Sequence, residues 1–563
     1  MKENNERLKT ASRLKNWIAC NYTTINEINK KELKKKESST TEKIRKERGD
    51  EFEEKIYKEL ILQYPNHIKI NKNEDRFERT EEALKKGYDL IHKAHFKYDG
   101  WVGEIDFLIK DKSKKTKNGK WKYEVYDTKL SSVAKVDHIT QISLYSEWIT
   151  TQQDNELPDS MHLILNKKDK ERKNNRIKID AEIKTYKTQN YQLYFQFNKA
   201  NYIKFLDSDK KNTYPERCEF CALCDWSDVC EKKWLDDDHL NQIAKIRKEQ
   251  IRKIKKHGLK NLSEFAKIKE TEKIIDLRSS ILKKHLSQAK LLIEFKKTKI
   301  PQFKILPLEE GRGFNLMPSP SEHDLFFDIE GLDKILNPEE SNQDKEGIEY
   351  LFGMYDHDNK QDPYKFFWAH SQDEEKEQFI ALLKFIEKHL EKYPDSHIYH
   401  FNHYEKTALS KLAGKHDTCI EQVDDLLRDG KLVDLHTVHN QAMQVSEREY
   451  SLKNLEKFYG YKRKGEIKKA SDSTDKYLDW IETGEEKLLD EIKLYNREDC
   501  ESTYFLREWL RAKKPKDAIY AKKKEPVERE RNWEKENEDY KILIEKNCKD
   551  EEIKEILKNI LGF

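Results

Sequence analysis

The chain has 563 residues, enough for two or three domains. Charged residues make up 39% of it, yet 110 basic against 107 acidic side chains leave a formal net charge of only +3. The overall charge therefore does not announce a polyanionic partner, and most of it reads as Lys- and Glu-rich solvated helix surface. No apolar run approaches the ~20 residues of a membrane span, and no signal peptide is evident. The expectation is a cytoplasmic protein with no membrane partner and reduced cysteines.

In chain order, Gly49-Asp-Glu-Phe52-Glu53 opens a predicted helix that reaches about Leu62. Gly103–Ile109 alternates as a strand carrying Asp106, and a Lys-rich hairpin over Asp111–Lys120 leads to a second strand, Lys122–Lys129. Asp127 and Lys129 share one face of that strand, because side chains alternate. Two carboxylates can hold a metal, while a neighbouring cation orients water and offsets transition-state charge. A helix over about Val133–Thr150 places Gln141 and Tyr145 four apart on one face, and Met161–Asn166 reads as a strand. The basic runs Lys167–Lys178 and Arg252–Lys256 could follow a phosphate backbone.

Helix, strand pair, helix and strand is an order that resembles the core of PD-(D/E)XK nucleases. Gln141 and Tyr145 match the additional motif of the RecB-type branch. The resemblance implies Glu53, Asp106, Asp127 and Lys129 as catalytic residues, with Asp106 and Asp127 on a metal. It implies that Gln141 and Tyr145 contact that site or DNA.

Four of the eight cysteines cluster as Cys218, Cys221, Cys224 and Cys230. Alone, the cluster reads as a zinc or iron–sulfur site. The spacing of Cys221, Cys224 and Cys230 is similar to that of AddB-type and CRISPR-adaptation RecB-like nucleases. That resemblance implies a far-upstream fourth ligand, a place filled by Cys20, and a [4Fe–4S] cluster stapling the N-terminus to the end of the nuclease fold. A zinc site built from Cys218, Cys221, Cys224 and Cys230 stays open as the alternative. Cys419, Cys500 and Cys548 read as ordinary thiols.

Trp234–Lys299 reads as a helical connector, with two short helices around Gly258 suited either to a phosphate backbone or to simple packing. Gly311–Pro320 reads as an extended loop. It leads into Asp324-Leu-Phe-Phe-Asp328-Ile-Glu330-Gly331, a strand on which Asp328 and Glu330 must point the same way. Like charges on one face of a core strand repel and lose hydration, a cost that a divalent cation removes. Strands over Ile348–Tyr355 and Tyr364–Ala369 follow, then a helix over Glu374–Lys392, a strand over His397–Phe401 and a helix from Glu405. Asp434 reads as a strand-end or capping residue. Tyr495 and Asp499 share a helical face, and a Lys/Glu-rich helical tail interrupted at Pro526 ends the chain.

Strand, strand, strand, helix, strand, helix resembles the RNase H-like order, and the motifs resemble those of DEDD 3′–5′ exonucleases. Asp328 and Glu330 match the first motif, Asn402-His-Tyr-Glu405 the second, and Tyr495-Asn-Arg-Glu-Asp499 the third, in its Tyr subtype. The resemblance implies Mg²⁺ or Mn²⁺ on Asp328, Glu330 and Asp499, with the Tyr495 phenol positioning the attacking water. Glu405 stands where many members carry Asp.

Residues about 10–512 resemble one bacterial family that joins an iron–sulfur RecB-like nuclease domain to an RNase H-like exonuclease domain. Leu286-Ser-Gln288-Ala289 and Ser451-Leu-Lys453-Asn-Leu455-Glu456 add to that resemblance. The expected organisation is an α/β multidomain protein: nuclease 1–233, connector 234–300, exonuclease 301–514 and tail 515–563. The expected function is a metal-dependent deoxyribonuclease on DNA ends or single strands, in repair or in antiviral or CRISPR-linked defence. No P-loop motif is visible, so a helicase motor would be a separate partner. The competing expectations are a DNA-binding scaffold with one degenerate site and an RNA-processing exonuclease, since an RNase H-like half alone does not choose between sugars.

Overall fold

The computed structural model describes residues 9–73, 75–166, 181–210, 213–333, 336, 347–467, 469–521, 533–548, 553–554 and 557. The basic run Lys167–Lys178 and Pro526 lie outside the described residues. Two mixed sheets organise the chain, making it a multidomain α/β protein. No described helix is long and apolar enough to cross a membrane.

The first sheet holds β1 (His67–Lys69), β2 (Leu90–Tyr98), β3 (Trp101–Lys115), β4 (Trp121–Lys129), β5 (Ser160–Leu165) and β6 (Glu182–Lys187), in that order. β1–β2 and β4–β5 are parallel, and the other pairs are antiparallel. Alternation splits the strand residues between two cores. Ile91, Leu108, Val125 and Leu163 pack with Ile142 and Ile149 of the helix Val136–Gln152. Leu90, Phe107, Ile109 and Ile164 pack with Phe52, Ile56 and Leu60 of the helix Thr40–Gln63.

That second helix begins well before the Gly49 start expected from sequence. The Ser39 hydroxyl accepts from the Glu42 amide at 3.2 Å and the Glu42 carboxylate accepts from the Ser39 amide at 3.3 Å, a reciprocal cap. Gly49 therefore lies in the helix interior, where glycine costs about 1 kcal/mol relative to alanine. The helix expected from Val133 starts at Val136. The expected hairpin over Asp111–Lys120 is tighter, because β3 runs on to Lys115 through an irregular register. Strands β1, β2 and β6 and the helices Arg76–Lys86 and Gln189–Asp207 were not anticipated.

A connector of helices Lys248–Lys256, Leu262–Ala266 and Ser279–Thr298 has its own core of Ile254, Leu262, Phe265 and Leu286. Gly258 takes a φ of 92° at the turn between the first two. The expected boundary after residue 233 falls inside the helix Ser227–Asp236. Gln288 of the connector donates to the Glu447 carbonyl at 3.0 Å and accepts from the Tyr450 hydroxyl at 2.7 Å. The Leu286–Ala289 segment is thus docked just ahead of the Ser451–Glu456 segment.

The remaining strands are β7 (Phe303–Ile305), β8 (Leu325–Leu332), β9 (Ile348–Asp356), β10 (Tyr364–Trp368), β11 (Ile398–His400), β12 (Leu432–Asp434) and β13 (Met443–Val445). β7 and β13 form an antiparallel ribbon, and the segment expected as an extended loop before β8 contains a single 3₁₀ turn, Gly313–Leu316. The other five form a sheet in the order β10-β9-β8-β11-β12, with β11 and β12 parallel to β8 and the first three antiparallel. Leu325, Phe327 and Ile329 of β8 face the helix Gln372–Lys392, whereas Phe326 packs with Leu506 and Leu510 of the long helix Glu486–Lys513. By the same alternation Asp328 and Glu330 belong to the face covered by the long helix. Asp434 ends β12 and accepts from the His436 amide at 2.9 Å, capping the next helix.

The two halves also meet at one helix end. Thr41 donates its amide to Asp475 at 2.8 Å and Thr40 its hydroxyl to Asp479 at 3.1 Å, seating the helix that carries Glu53 on the helix Ala470–Thr483.

Candidate functional site

The long helix brings Asp499 to the Asp328–Glu330 face of β8. One ligand oxygen from each of these three carboxylates lies within 4.8 Å of the other two. Burial and then Asp499 push the Glu330 carboxyl up to about 8, and burial, Asp499 and Glu330 hold Asp328 well above its ordinary value. The three carboxylates, two of them with raised pKa, form a hard oxygen donor set that fits Mg²⁺ or Mn²⁺.

The surroundings fix these groups. Asn496 donates to Asp328 at 2.7 Å while its own carbonyl accepts from the Tyr364 hydroxyl at 2.8 Å. Arg463 donates to Asp499 at 2.5 Å and to Glu456 at 2.8 Å. Tyr495 bonds to Asp499 and receives a hydrogen bond from Lys453 Nζ at 3.1 Å. Ser473 hydrogen-bonds Glu330. Glu405 lies outside that 4.8 Å trio, buried against His400 at 3.2 Å from Nδ1, yet its charge still acts on Asp328.

Sequence reading assigned no role to Asn496, Arg463 or Ser473. Asn496 follows Tyr495 directly, and that adjacency inside the motif was its available signal. Arg463 sits in a loop and Ser473 on the buried face of the helix Ala470–Thr483, and only the fold delivers them to the site. Lys453 belongs to the Ser451–Glu456 segment, and its contact with Tyr495 joins segments 42 residues apart.

A family model for the RNase_H superfamily matches residues 325–511. Those residues form an RNase H superfamily domain. The matched span opens at β8 and closes two residues before the end of the long helix, so it contains all three converging acids. Such a domain points to a nuclease-like phosphodiester hydrolase that uses divalent metals. No curated protein matches the chain.

The acids of the first sheet are arranged differently. Asp127 is buried and ion-paired to Lys129, and it accepts from Gln141 at 3.2 Å. Gln141 in turn donates to the Tyr145 hydroxyl at 2.9 Å. Asp106 accepts from both the amide and the hydroxyl of Thr128, at 2.7 and 2.6 Å. Glu53 is held by His92 at 2.8 Å and Lys93 at 2.6 Å, the latter from a backbone φ of 60°. Burial, Asp127 and Glu53 push Asp106 up to about 7, and burial raises Asp127 despite Lys129. These four residues are brought together with Gln141 and Tyr145. Among the described residues, however, the only acidic trio within 4.8 Å is that of the second sheet.

The cysteines converge across the chain. Cys20 hydrogen-bonds Cys218, whose sulfur lies 3.9 Å from that of Cys221. Cys230 accepts from Asn26 at 3.7 Å, and Glu27 accepts from the Trp226 indole at 3.2 Å, so the helix Tyr22–Ile28 is pinned to the cysteine segment. Burial raises Cys224, and raises Cys230 to about 11.

Proposed function

We propose that the protein is a metal-dependent deoxyribonuclease with two hydrolytic sites, acting on DNA ends or single strands. The carrying observation is the convergence of Asp328, Glu330 and Asp499 on the face of an RNase H superfamily sheet. The bound cation would polarise the scissile phosphodiester. Asp328, Glu330 and Asp499 would hold that cation, Asn496 and Arg463 would fix two of these acids, and the Tyr495 phenol would orient the attacking water. With the Tyr-x-x-x-Asp motif, this supports a 3′–5′ exonuclease.

In the first sheet, Glu53, Asp106, Asp127, Lys129, Gln141 and Tyr145 would form a PD-(D/E)XK site of the RecB type. The shared contacts of Asp127 with Lys129 and Gln141 support that reading. Cys20, Cys221, Cys224 and Cys230 would hold a [4Fe–4S] cluster, supported by the approach of Cys20 to the distant cysteine segment.

The scaffold alternative draws on Glu405, which stands where many members of the resembled family carry Asp and whose carboxylate contacts His400. The deciding experiment follows end-labelled single- and double-stranded DNA and RNA with Mn²⁺, using wild type, Asp328→Ala, Asp127→Ala and the double variant. The proposal expects DNA cleavage in each single variant and none in the double. A single substitution that removes all cleavage identifies one working site. Preferential RNA cleavage replaces DNA as the substrate.

A further inference from the structure

The connector holds a cavity of about 340 Å³ that neither hydrolytic site uses, between the helix Lys248–Lys256 and the segment Thr213–Arg217. Arg217, Lys248, Arg252 and Lys255 line it, with Glu216 the acidic group among its lining. Lys248 and Arg252 share Glu216, and Arg217 pairs with Glu449. Lys255 has no carboxylate within ion-pairing distance among the described residues; its nearest polar contact is His239.

That contact is short of an acceptor. His239 Nδ1 accepts from the Asn241 amide at 3.1 Å, so the proton of a neutral ring must sit on Nε2. Nε2 in turn lies 2.8 Å from Lys255 Nζ, itself a donor when charged. Two donors thus face each other when Lys255 is charged, and an anionic oxygen in the cavity could accept from both once the two side chains part. Burial also lowers the Lys255 pKa, and Glu216 acts in the opposite direction without overcoming it. The Tyr214 ring stacks on His239 with centroids 4.7 Å apart and lies 5.2 Å from Lys255 Nζ, which fixes the geometry of both donors. Asn21 also lines the cavity, so it abuts the Cys20–Cys218 contact.

We propose that this cavity binds a backbone phosphate of a nucleic-acid strand, with His239 and Lys255 donating to one phosphate oxygen and Arg252 to another. The inference rests on the reading of the protein as a nuclease. It adds a substrate-holding site whose lining shares no residue with either set of catalytic acids. A phosphate could come from a strand or from solution, and the test separates the two.

The test uses the full chain in EDTA, so that binding is read without hydrolysis. Fluorescence anisotropy of a labelled single-stranded oligonucleotide gives affinity against salt for wild type, Lys255→Gln, Arg252→Gln and Lys255→Arg. Thermal melts with and without inorganic phosphate check folding and free-anion binding. Removing one phosphate contact should weaken binding about three- to tenfold and reduce the salt slope by about one, with Lys255→Arg restoring most of it. Affinities and slopes in Lys255→Gln and Arg252→Gln equal to wild type overturn the proposal. If phosphate still raises the wild-type melting temperature in that case, the cavity is a free-anion site. Either result leaves the nuclease reading standing. A wild type that binds no oligonucleotide overturns both.

Discussion

Asn496 holds Asp328 at 2.7 Å through its amide nitrogen while Tyr364 holds the amide oxygen at 2.8 Å. Both ends of the amide are engaged, so the rotation of the Asp328 carboxylate is set from a second layer of residues. The fit on the sheet side is tight: a Cβ on Gly353 would fall 1.6 Å from Asn496 Oδ1. Second-layer partners of this kind are typically worth 10–100-fold in metal affinity or activity. Asn496→Ala should lower Mn²⁺-dependent cleavage by about that factor, and Gly353→Ala should do the same by displacing Asn496. Initial rates across a Mn²⁺ titration, in an Asp127→Ala background, make the comparison. Rates unchanged in both variants would show that Asp328 is oriented by something else.

Metal removal should reverse a pH trend in stability. Glu330 is raised from an ordinary 4.5 to about 8, so the folded metal-free protein keeps a proton that the unfolded chain releases. Stability from this group is therefore present at low pH and lost as pH rises from about 4.5 to about 8. Buried His138 and His285, lowered to about 4, slope the opposite way below their ordinary 6.5. They cancel in the difference between melts in Mn²⁺ and in EDTA. That difference should widen steadily from pH 5 to 8.5, because Mn²⁺ binds the ionised carboxylates. Glu330→Gln should flatten it. A gap independent of pH would mean that the cation does not bind at these acids.

The sequence made the second site legible because its motifs are local. Asp328 and Glu330 alternate on one strand, and Tyr495 and Asp499 lie one turn apart on one helix, so short-range periodicity was enough. Glu405 follows β11 at the motif's spacing and its charge reaches Asp328, but the contact of its carboxylate with His400, five residues earlier, is tertiary detail that spacing does not carry. The start of the helix bearing Glu53 is not legible at Gly49, which resembles an opening signal, because Ser39, ten residues earlier, and Glu42 supply the cap. β1 and β2 were missed because His67–Lys69 is short and polar and β2 mixes His and Lys into its apolar run. Arg463 and Lys453 reach the site only through tertiary packing, which no window of sequence contains.

The cysteines separate iron from zinc. With Cys20, Cys221, Cys224 and Cys230 as ligands, anaerobically purified protein should be brown, absorb broadly near about 400 nm and lose that colour in Cys20→Ala and Cys230→Ala. Both variants should also lower the melting temperature, since the cluster closes a long loop. Cys218→Ser should keep the colour, although Cys218 touches both Cys20 and Cys221. Colourless protein with stoichiometric zinc, dependent on Cys218 and indifferent to Cys20→Ala, would assign the four clustered thiolates to zinc instead.

Tyr495 offers the narrowest test of the RNase H superfamily domain. Its hydroxyl is held between Asp499 and Lys453 Nζ, the latter at 3.1 Å, and the Lys453 ammonium also lies 4.2 Å from the centre of its ring. Tyr495→Phe removes the hydroxyl and leaves Asp328, Glu330 and Asp499 in place. Groups that position or shuttle protons typically contribute ~10²–10⁴-fold in rate. The residual 3′–5′ activity of an Asp127→Ala background should fall by that order, with Mn²⁺ dependence and oligonucleotide affinity nearly unchanged. Lys453→Met should reproduce part of the loss by freeing the phenol, with a smaller effect than Tyr495→Phe. Exonuclease activity that survives Tyr495→Phe intact, or that runs from 5′ ends, would remove the phenol from the reaction and leave the three carboxylates to account for it.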